Sequence, residues 1–427
     1  MDIKKLHNLF LASKGVSTDT RQVKKGQIFF SLKGDNFNGN EYAQLSINNG
    51  ADYAVVDDPA VVRTEQFILV NNVLETLQKL AAYHRQYLNT PIIAITGTNG
   101  KTTTKELVNA VMQKKYSVYA TKGNLNNHIG VPLTLLSMDK TTQYGIVEMG
   151  ASHIGEIEKL CEIAKPNYGI ITNIGSAHLE GFGSIEGVQK AKNELYQYII
   201  ETNGTLFVNG DDNLLMKLSE HSQRLIYSEM VNSTCKAEKL KSDTFLKLKW
   251  KNKQLVSKLV GDYNFYNALV AICIGEYFKV DENEIISAIE EYEPGNNRSQ
   301  FLKTKNNKLI VDAYNANPTS MALAIYNFES INSENKVLIL GDMLEMGEYS
   351  FDEHNKIIDL VEKLNFKNVF FVGNEFLKSK AGNKLSYNFL KNVSELIAYF
   401  KKHPAKNNFI LLKASRGISL EKLIPYL

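Results

Sequence analysis

Short apolar runs alternate along nearly the whole chain with stretches in which apolar residues recur every three or four positions. The runs read as strands buried on both faces, and the spaced stretches as amphipathic helices. Over residues 1–88 the pattern predicts strands at 27–32, 53–56 and 67–70, with helices at 41–49 and 74–88. It continues with strands at 91–95, 144–148, 168–174 and 204–208, and helices at 105–115, 154–163 and 185–200. Residues 244–260 instead alternate polar and apolar side chains around Asn252, the signature of an antiparallel hairpin. Helices at 263–278 and 282–292 follow, and Pro294-Gly295-Asn296-Asn297 reads as a linker. Beyond it, strands at 309–311, 337–340, 369–372 and 409–412 alternate with helices. The fold class expected is α/β in three domains, 1–88, 89–297 and 298–427, the last Rossmann-like but lacking a G-x-G-x-x-G fingerprint. In such sheets ligands gather at the carboxyl ends of the strands.

Length agrees with this division, since 427 residues at roughly 150 per domain give two to four domains. Charge removes some alternatives. A net charge of +3, from 49 basic and 46 acidic residues, carries no nucleic-acid or membrane footprint. No run approaches the ~20 apolar residues of a membrane span, and residues 9–12 are too short for a signal-peptide core. A cytoplasmic location is expected. Cys161, Cys235 and Cys273 are too dispersed for a metal site or a disulfide framework, so reduced thiols are expected.

The chemistry concentrates in Thr96-Gly97-Thr98-Asn99-Gly100-Lys101-Thr102-Thr103-Thr104, which lies between the 91–95 strand and the 105–115 helix. Strand, glycine loop and helix N-terminus together cradle polyphosphate. Lys101 would reach the β- and γ-phosphates, and the Thr102 hydroxyl would hold Mg²⁺. The loop is shortened, because Ile95 stands where the usual first glycine belongs. We read it as an ATP site. Glu148, at the end of the next strand beside Gly150, is placed to bind the nucleotide's magnesium. His178, in Thr172-Asn173-Ile174-Gly175-Ser176-Ala177-His178-Leu179-Glu180, falls at the same sheet edge. His128 and His153 occupy glycine-containing loops and suit structural roles or substrate contacts. Taken singly, Lys192, Arg298, Lys413 and Arg416 read as surface cations. Asn317 reads as a helix N-cap with Pro318 in the first helical position.

Taken together these stretches resemble the Mur ligase family of ATP-dependent amide-forming enzymes, over nearly the whole chain and in order. Thr96 to Thr104 is similar to the family's shortened P-loop, Glu148-Met149-Gly150 to its acidic motif, and Thr172 to Glu180 to its histidine motif. Asn264 and Asn267 match its adenine-side helix, and Arg298 and Asp312 its inter-domain arginine and aspartate. Within the family, 312–318, 340–347 and 413–417 resemble the branch that joins D-alanyl-D-alanine to UDP-N-acetylmuramoyl-tripeptide. Asn38, Asn40, Tyr263 and Ala414 depart from the family pattern.

The resemblance implies a uridine-nucleotide domain binding through Ser17, Thr18, Asp19, Arg21, Lys33 and Gly34. It implies a central domain holding ATP through Gly97, Thr98, Asn99, Gly100, Lys101, Thr102, Thr103, Asn264, Asn267, Arg298 and Asp312. The dipeptide would sit near Asn315 and Asn317. Catalysis would fall to Lys101, Glu148, His178 and Lys192. Mg²⁺ would be held by Thr102, Glu148, His178 and a carbamylated Lys192, and the enzyme would be a monomer. Other amide ligases of this architecture, including folylpolyglutamate synthetase-like enzymes, remain alternatives. So does a nucleotide-binding regulatory protein that makes no bond.

Overall fold

The computed structural model describes residues 2–175, 179–295, 297–379 and 387–427. Three large sheets follow one another along the chain, in the mixed α/β arrangement expected, with a two-stranded ribbon, Lys33–Gly34 and Phe37–Asn38, beside the first. The first has four parallel strands in the order Val16–Ser17, Ile28–Phe30, Tyr53–Val56, Phe67–Leu69. The helix Ile3–Ala12 precedes it and was not anticipated. The predicted 41–49 helix is a 3₁₀ turn, Gly39–Tyr42, running into Ala43–Asn48.

The helix Val73–Leu88 leads into the second sheet. It starts where the Asn72 side chain accepts from Glu75 N–H at 2.9 Å and stops at left-handed Asn89. Its apolar face, Leu77, Leu80 and Ala81, shares one buried cluster with Val131, Leu135 and Leu160 of the second domain and with Leu6 and Phe10 of the first. Its Arg85 is buried and donates to the carbonyls of Ala164 (3.0 Å) and Lys165 (3.1 Å) and to the Asn167 side chain. These carbonyls close the helix Glu156–Ala164, whose dipole is negative there and suits a cation.

The central sheet has nine strands. Ile92–Thr96, buried at every position, lies between Tyr168–Ile171 and Tyr144–Glu148, all parallel. Thr205–Asn209, Gln223–Ser228 and Cys235–Leu240 extend it on one side and Val118–Ala120 on the other. The expected hairpin is present as Phe245–Trp250 and Lys253–Val260. Consecutive left-handed residues, Lys251 and Asn252, make its two-residue turn. The third sheet runs Gln300–Lys303, Lys308–Asp312, Phe409–Lys413, Lys336–Gly341, Asn368–Val372, Asn388–Leu390, parallel except for its first strand. Cys161, Cys235 and Cys273 are buried and unpaired. Among the described residues no helix is long and apolar enough to cross a membrane.

Candidate active site at the edge of the central sheet

The phosphate loop takes its shape from two glycines. Gly97 has φ +140°, and a Cβ there would meet Thr172 Oγ1 at 2.0 Å. Gly100 has φ +80°, and a Cβ there would meet Asn267 Oδ1 at 2.6 Å. Neither an alanine nor any larger residue fits these backbones. The neighbouring strand's end straps the loop down. Asn99 N–H donates to Asn173 Oδ1 (3.0 Å), while Asn173 Nδ2 and Thr172 Oγ1 donate to the Asn99 carbonyl at 3.0 and 2.6 Å. The helix begins directly after Gly100, at Lys101, four residues earlier than its apolar spacing indicates. Its first turn therefore points free N–H groups into the loop.

Lys101 Nζ folds back to donate to the Gly97 carbonyl at 2.7 Å and the Thr98 carbonyl at 3.2 Å. Burial lowers its pKa to about 8, helped by the Arg298 charge and opposed by Glu148. Glu148 ends its strand with Oε1 accepting from Thr102 Oγ1 (3.1 Å) and Asn126 Nδ2 (2.8 Å). Its Oε2 is buried and has no hydrogen-bond partner among the described residues. An orphaned carboxylate oxygen beside a threonine hydroxyl is a hard-oxygen donor set, which fits Mg²⁺.

Lys192, from the helix Ile185–Glu201, is only 2% exposed. Its Nζ lies 3.5 Å from the Ala151 carbonyl and 5.2 Å from the Phe182 ring, without an ion-pair partner among the described residues. Burial, with the Lys101 charge second, lowers its pKa to about 7. It sits behind the cavity wall rather than on it. His178 lies outside the described residues. His128 lines the cavity, whereas His153 stands 3.7 Å from Glu156 on the surface.

The loop opens into a cavity of about 720 Å³ between the second and third domains. Thr98 to Thr103, Asn264, Asn267, Arg298, Asp312 and Asn315 all line it. Asn267 accepts from Thr104 Oγ1 (3.1 Å) and donates to Asn264 Oδ1 (2.9 Å), coupling that helix to the phosphate loop. Tyr263 is hydrogen-bonded to Ser299 at 2.8 Å. Asp312 pairs with buried Lys413 at 2.7 Å. Asn317 is an N-cap in a capping box with Ser320, and its Nδ2 also donates across the domain boundary to Asn99 Oδ1 at 2.8 Å. It therefore serves the helix and the phosphate loop at once.

Asn126 escapes the sequence reading, and Asn173 and Tyr314 enter it only as members of longer motifs. Asn126, Asn173 and Tyr314 line the cavity, and the Tyr314 ring lies 3.7 Å from the Arg298 guanidinium and 5.3 Å from that of Arg416. Asn173 and Tyr314 stand two residues past strand ends, whereas Asn126 lies in the loop well beyond Val118–Ala120. Ser17, Thr18, Asp19, Arg21, Lys33 and Gly34 lie on the first domain, and none of them lines this cavity. Arg21 forks onto Asp19 and holds its carboxyl down at about 2, and Lys33 pairs with Asp57 at 2.9 Å. Asn40 is buried and grips Asp57 from both ends of its amide, at 2.8 and 3.1 Å.

A phosphate loop on one domain, an acidic strand end beside it and a third domain overhanging both define a nucleotide-dependent group-transfer enzyme of the P-loop class. Family models for the Mur ligase family catalytic domain, the middle domain and the glutamate ligase domain match residues 13–89, 95–275 and 297–416. The chain belongs to the Mur ligase family, whose members are ATP-dependent amide ligases. It is 34% identical over 424 residues to the UDP-N-acetylmuramoyl-tripeptide–D-alanyl-D-alanine ligase of Bacillus subtilis, covering 96% of this chain and 92% of that protein. The enzyme so named from Rickettsia prowazekii is 32% identical over 96% of this chain and 94% of its own length. Among solved structures, MurF from Acinetobacter baumannii superposes with a TM-score of 0.86 at 28% identity, over 98% of this chain and 97% of that one. MurF from Thermotoga maritima in complex with ADP shares the fold, with a TM-score of 0.84 over 98% and 97%.

Proposed function

We infer that the protein joins D-alanyl-D-alanine to UDP-N-acetylmuramoyl-tripeptide in an ATP-dependent reaction, a cytoplasmic step of peptidoglycan synthesis. One observation carries this reading: a relative bearing that name matches over 96% of this chain and 92% of its own length at 34% identity. The same reading assigns residues 1–88 to the uridine nucleotide, 89–297 to ATP and 298–427 to the dipeptide, in a monomer. Ser17 to Arg21 with Lys33 and Gly34 would grip the uridine nucleotide. Asn315 would contact the dipeptide.

The chemistry follows from the weakness of a carboxylate as an electrophile. Its phosphorylation by ATP gives an acyl phosphate, and the dipeptide's amine displaces phosphate from it. Lys101 and the helix N-terminus hold the phosphates and offset the charge that builds on them. Asn264 and Asn267 border the nucleotide's adenine side, with Arg298 and Asp312 across the domain boundary. Mg²⁺, when bound, neutralises the β- and γ-phosphates. Thr102 and Glu148 would hold it, with His178 and Lys192 as its carbamate. A bare ammonium repels a cation, whereas a carbamate offers it hard oxygens. Its formation needs a neutral amine, which the depressed pKa of Lys192 supplies.

Phosphate release tests the reading. It is expected only when ATP, the UDP-muramyl tripeptide and D-alanyl-D-alanine are all present. Lysine- and diaminopimelate-containing tripeptides should be compared. Release with a single amino acid in place of the dipeptide, and none with the dipeptide, would assign the chain to another amide ligase.

A further inference from the structure

Lys105 lies in the helix Lys101–Gln113, on the same element as the phosphate-loop residues, yet it is fully buried. A charge in the interior persists only where it is paired and hydrogen-bonded. Lys105 Nζ donates to the Thr121 carbonyl at 2.6 Å and lies 2.8 Å from Glu106 Oε1. The ligation chemistry itself makes no use of this ammonium.

What Lys105 holds is the end of Val118–Ala120, the edge strand beside Tyr144–Glu148. The ladder between these strands stops at Ala120, opposite Ile146. Thr121 lies just beyond it, buried, and its carbonyl finds its donor in Lys105. Thr121 N–H still donates to the Ile146 carbonyl at 2.9 Å, but its hydroxyl takes over further along, accepting from Glu148 N–H at 3.0 Å. The chain then runs to Asn126, whose Nδ2 donates to Glu148 Oε1 at 2.8 Å and whose carbonyl accepts from Gly150 N–H at 2.7 Å. One segment, 121–126, thus grips Glu148 at its backbone, at its carboxylate and two residues beyond. Thr102, three residues before Lys105, also donates to Oε1, and Oε2 is left over.

We propose that Lys105 is a positioning residue for Glu148: by fixing the Thr121 carbonyl it holds the segment that aims this carboxylate at the cation. This rests on the Mg²⁺ site inferred above. Lysine suits the task because its long stem packs among apolar side chains while its end still delivers a donor. The relay runs from the helix to the edge strand, from there through the Thr121 hydroxyl to the Glu148 backbone, and through Asn126 to its side chain.

Mn²⁺ titration of the nucleotide-free protein, followed by electron paramagnetic resonance, tests the relay. Lys105→Met keeps the length of the side chain and removes the donor. It should fold, by circular dichroism, and bind Mn²⁺ about tenfold to a hundredfold more weakly, the range found when partners that orient a metal ligand are lost. Thr121→Val should lose a similar factor, whereas Thr121→Ser, which keeps the hydroxyl, should bind as the wild type does. Combining Lys105→Met with Thr121→Val should weaken binding no further than the worse single change, because both cut one relay. In ligation, the free Mg²⁺ needed for half the maximal rate should rise by the same factor, with KM for D-alanyl-D-alanine unchanged. Wild-type Mn²⁺ affinity in a folded Lys105→Met or in Thr121→Val, or losses that multiply in the double variant, overturns the relay. A Lys105→Met chain that does not fold overturns it too, since the lysine would then be a pillar of the core. A wild-type protein that takes up no Mn²⁺ overturns the metal site on which the relay rests.

Discussion

Lys101 has one flexible cation and two internal carbonyls to hold it, in a loop whose shape depends on Gly97 and Gly100 rather than on the lysine. Lys101→Ala is therefore expected to fold normally and to lose at least about a hundredfold in kcat, the order seen when a single charge-stabilising donor is removed. Circular dichroism and a ligation assay check both halves. Lys192 presents a different case, because its amine is buried without a carboxylate partner among the described residues. Lys192→Ala should be nearly inactive, and short-chain carboxylates in the buffer should restore part of the activity. No rescue, with a bare ammonium seen in an active complex, would remove the carbamate. Glycines, a lysine, hydroxyls and a strand-end acid are legible in sequence because each residue type at that spacing has one dominant use. Asn126 and Tyr314 are not. An amide or a ring becomes functional only through what the fold brings beside it, here the Glu148 carboxylate and two guanidinium groups.

Elements buried on both faces are read from sequence almost to the residue, as with Tyr144–Glu148 and Lys308–Asp312. Half-exposed strands are missed even inside the sheet. Gln223–Ser228 and Cys235–Leu240 carry charged, half-exposed side chains that hide the apolar signal. The Lys101–Gln113 helix is read too short because its first turn is lysine and threonine, with no apolar period to mark it. The 168–174 strand stops at Ile171 because Thr172 turns its hydroxyl to the phosphate loop. One inter-helix contact predicts a pH effect. His7 Nε2 and His84 Nδ1 are 3.0 Å apart, and His84 Nε2 is 3.0 Å from the Met138 carbonyl. Since a carbonyl only accepts, His84 carries its proton on Nε2 and accepts from His7. Burial lowers both pKa values below the ordinary 6.5, so the folded protein holds these rings neutral. The unfolded chain then binds more protons at acid pH. The contribution is complete above pH 6.5 and falls as the pH drops below it. Melting temperature should decline between pH ~7 and ~5. His7→Gln, which cannot titrate, should flatten that decline.

At the scale of the whole molecule, the first two domains share an apolar core, while the third meets the second through a short linker and a separate cluster in which Val188, Ala191 and Val260 join Ile310 and Met321. Asn297 on that linker and Ser299 just after it both have left-handed backbones, at φ 56° and 47°, and the cavity lies between the domains that the linker joins. The third domain is expected to close on the second when both nucleotide substrates bind, carrying Asp312 towards the phosphates. Small-angle scattering should show a smaller radius of gyration with an ATP analogue and UDP-muramyl tripeptide. No change at saturation would rule the motion out. The buried helix Val73–Leu88 has the opposite effect on the other junction. With Leu77 and Leu80 in the common core and Arg85 fixed to the end of a second-domain helix, the first domain is expected to hold its place against the second. A uridine nucleotide gripped there, as proposed, would stand at a fixed spacing from the phosphate loop, and the pair of domains would work as a ruler. A peptide stem one residue too short would leave its carboxylate out of reach of the γ-phosphate, and one too long would overshoot. On that reading the enzyme would reject the wrong precursor by reach alone, before any side chain of the peptide is read.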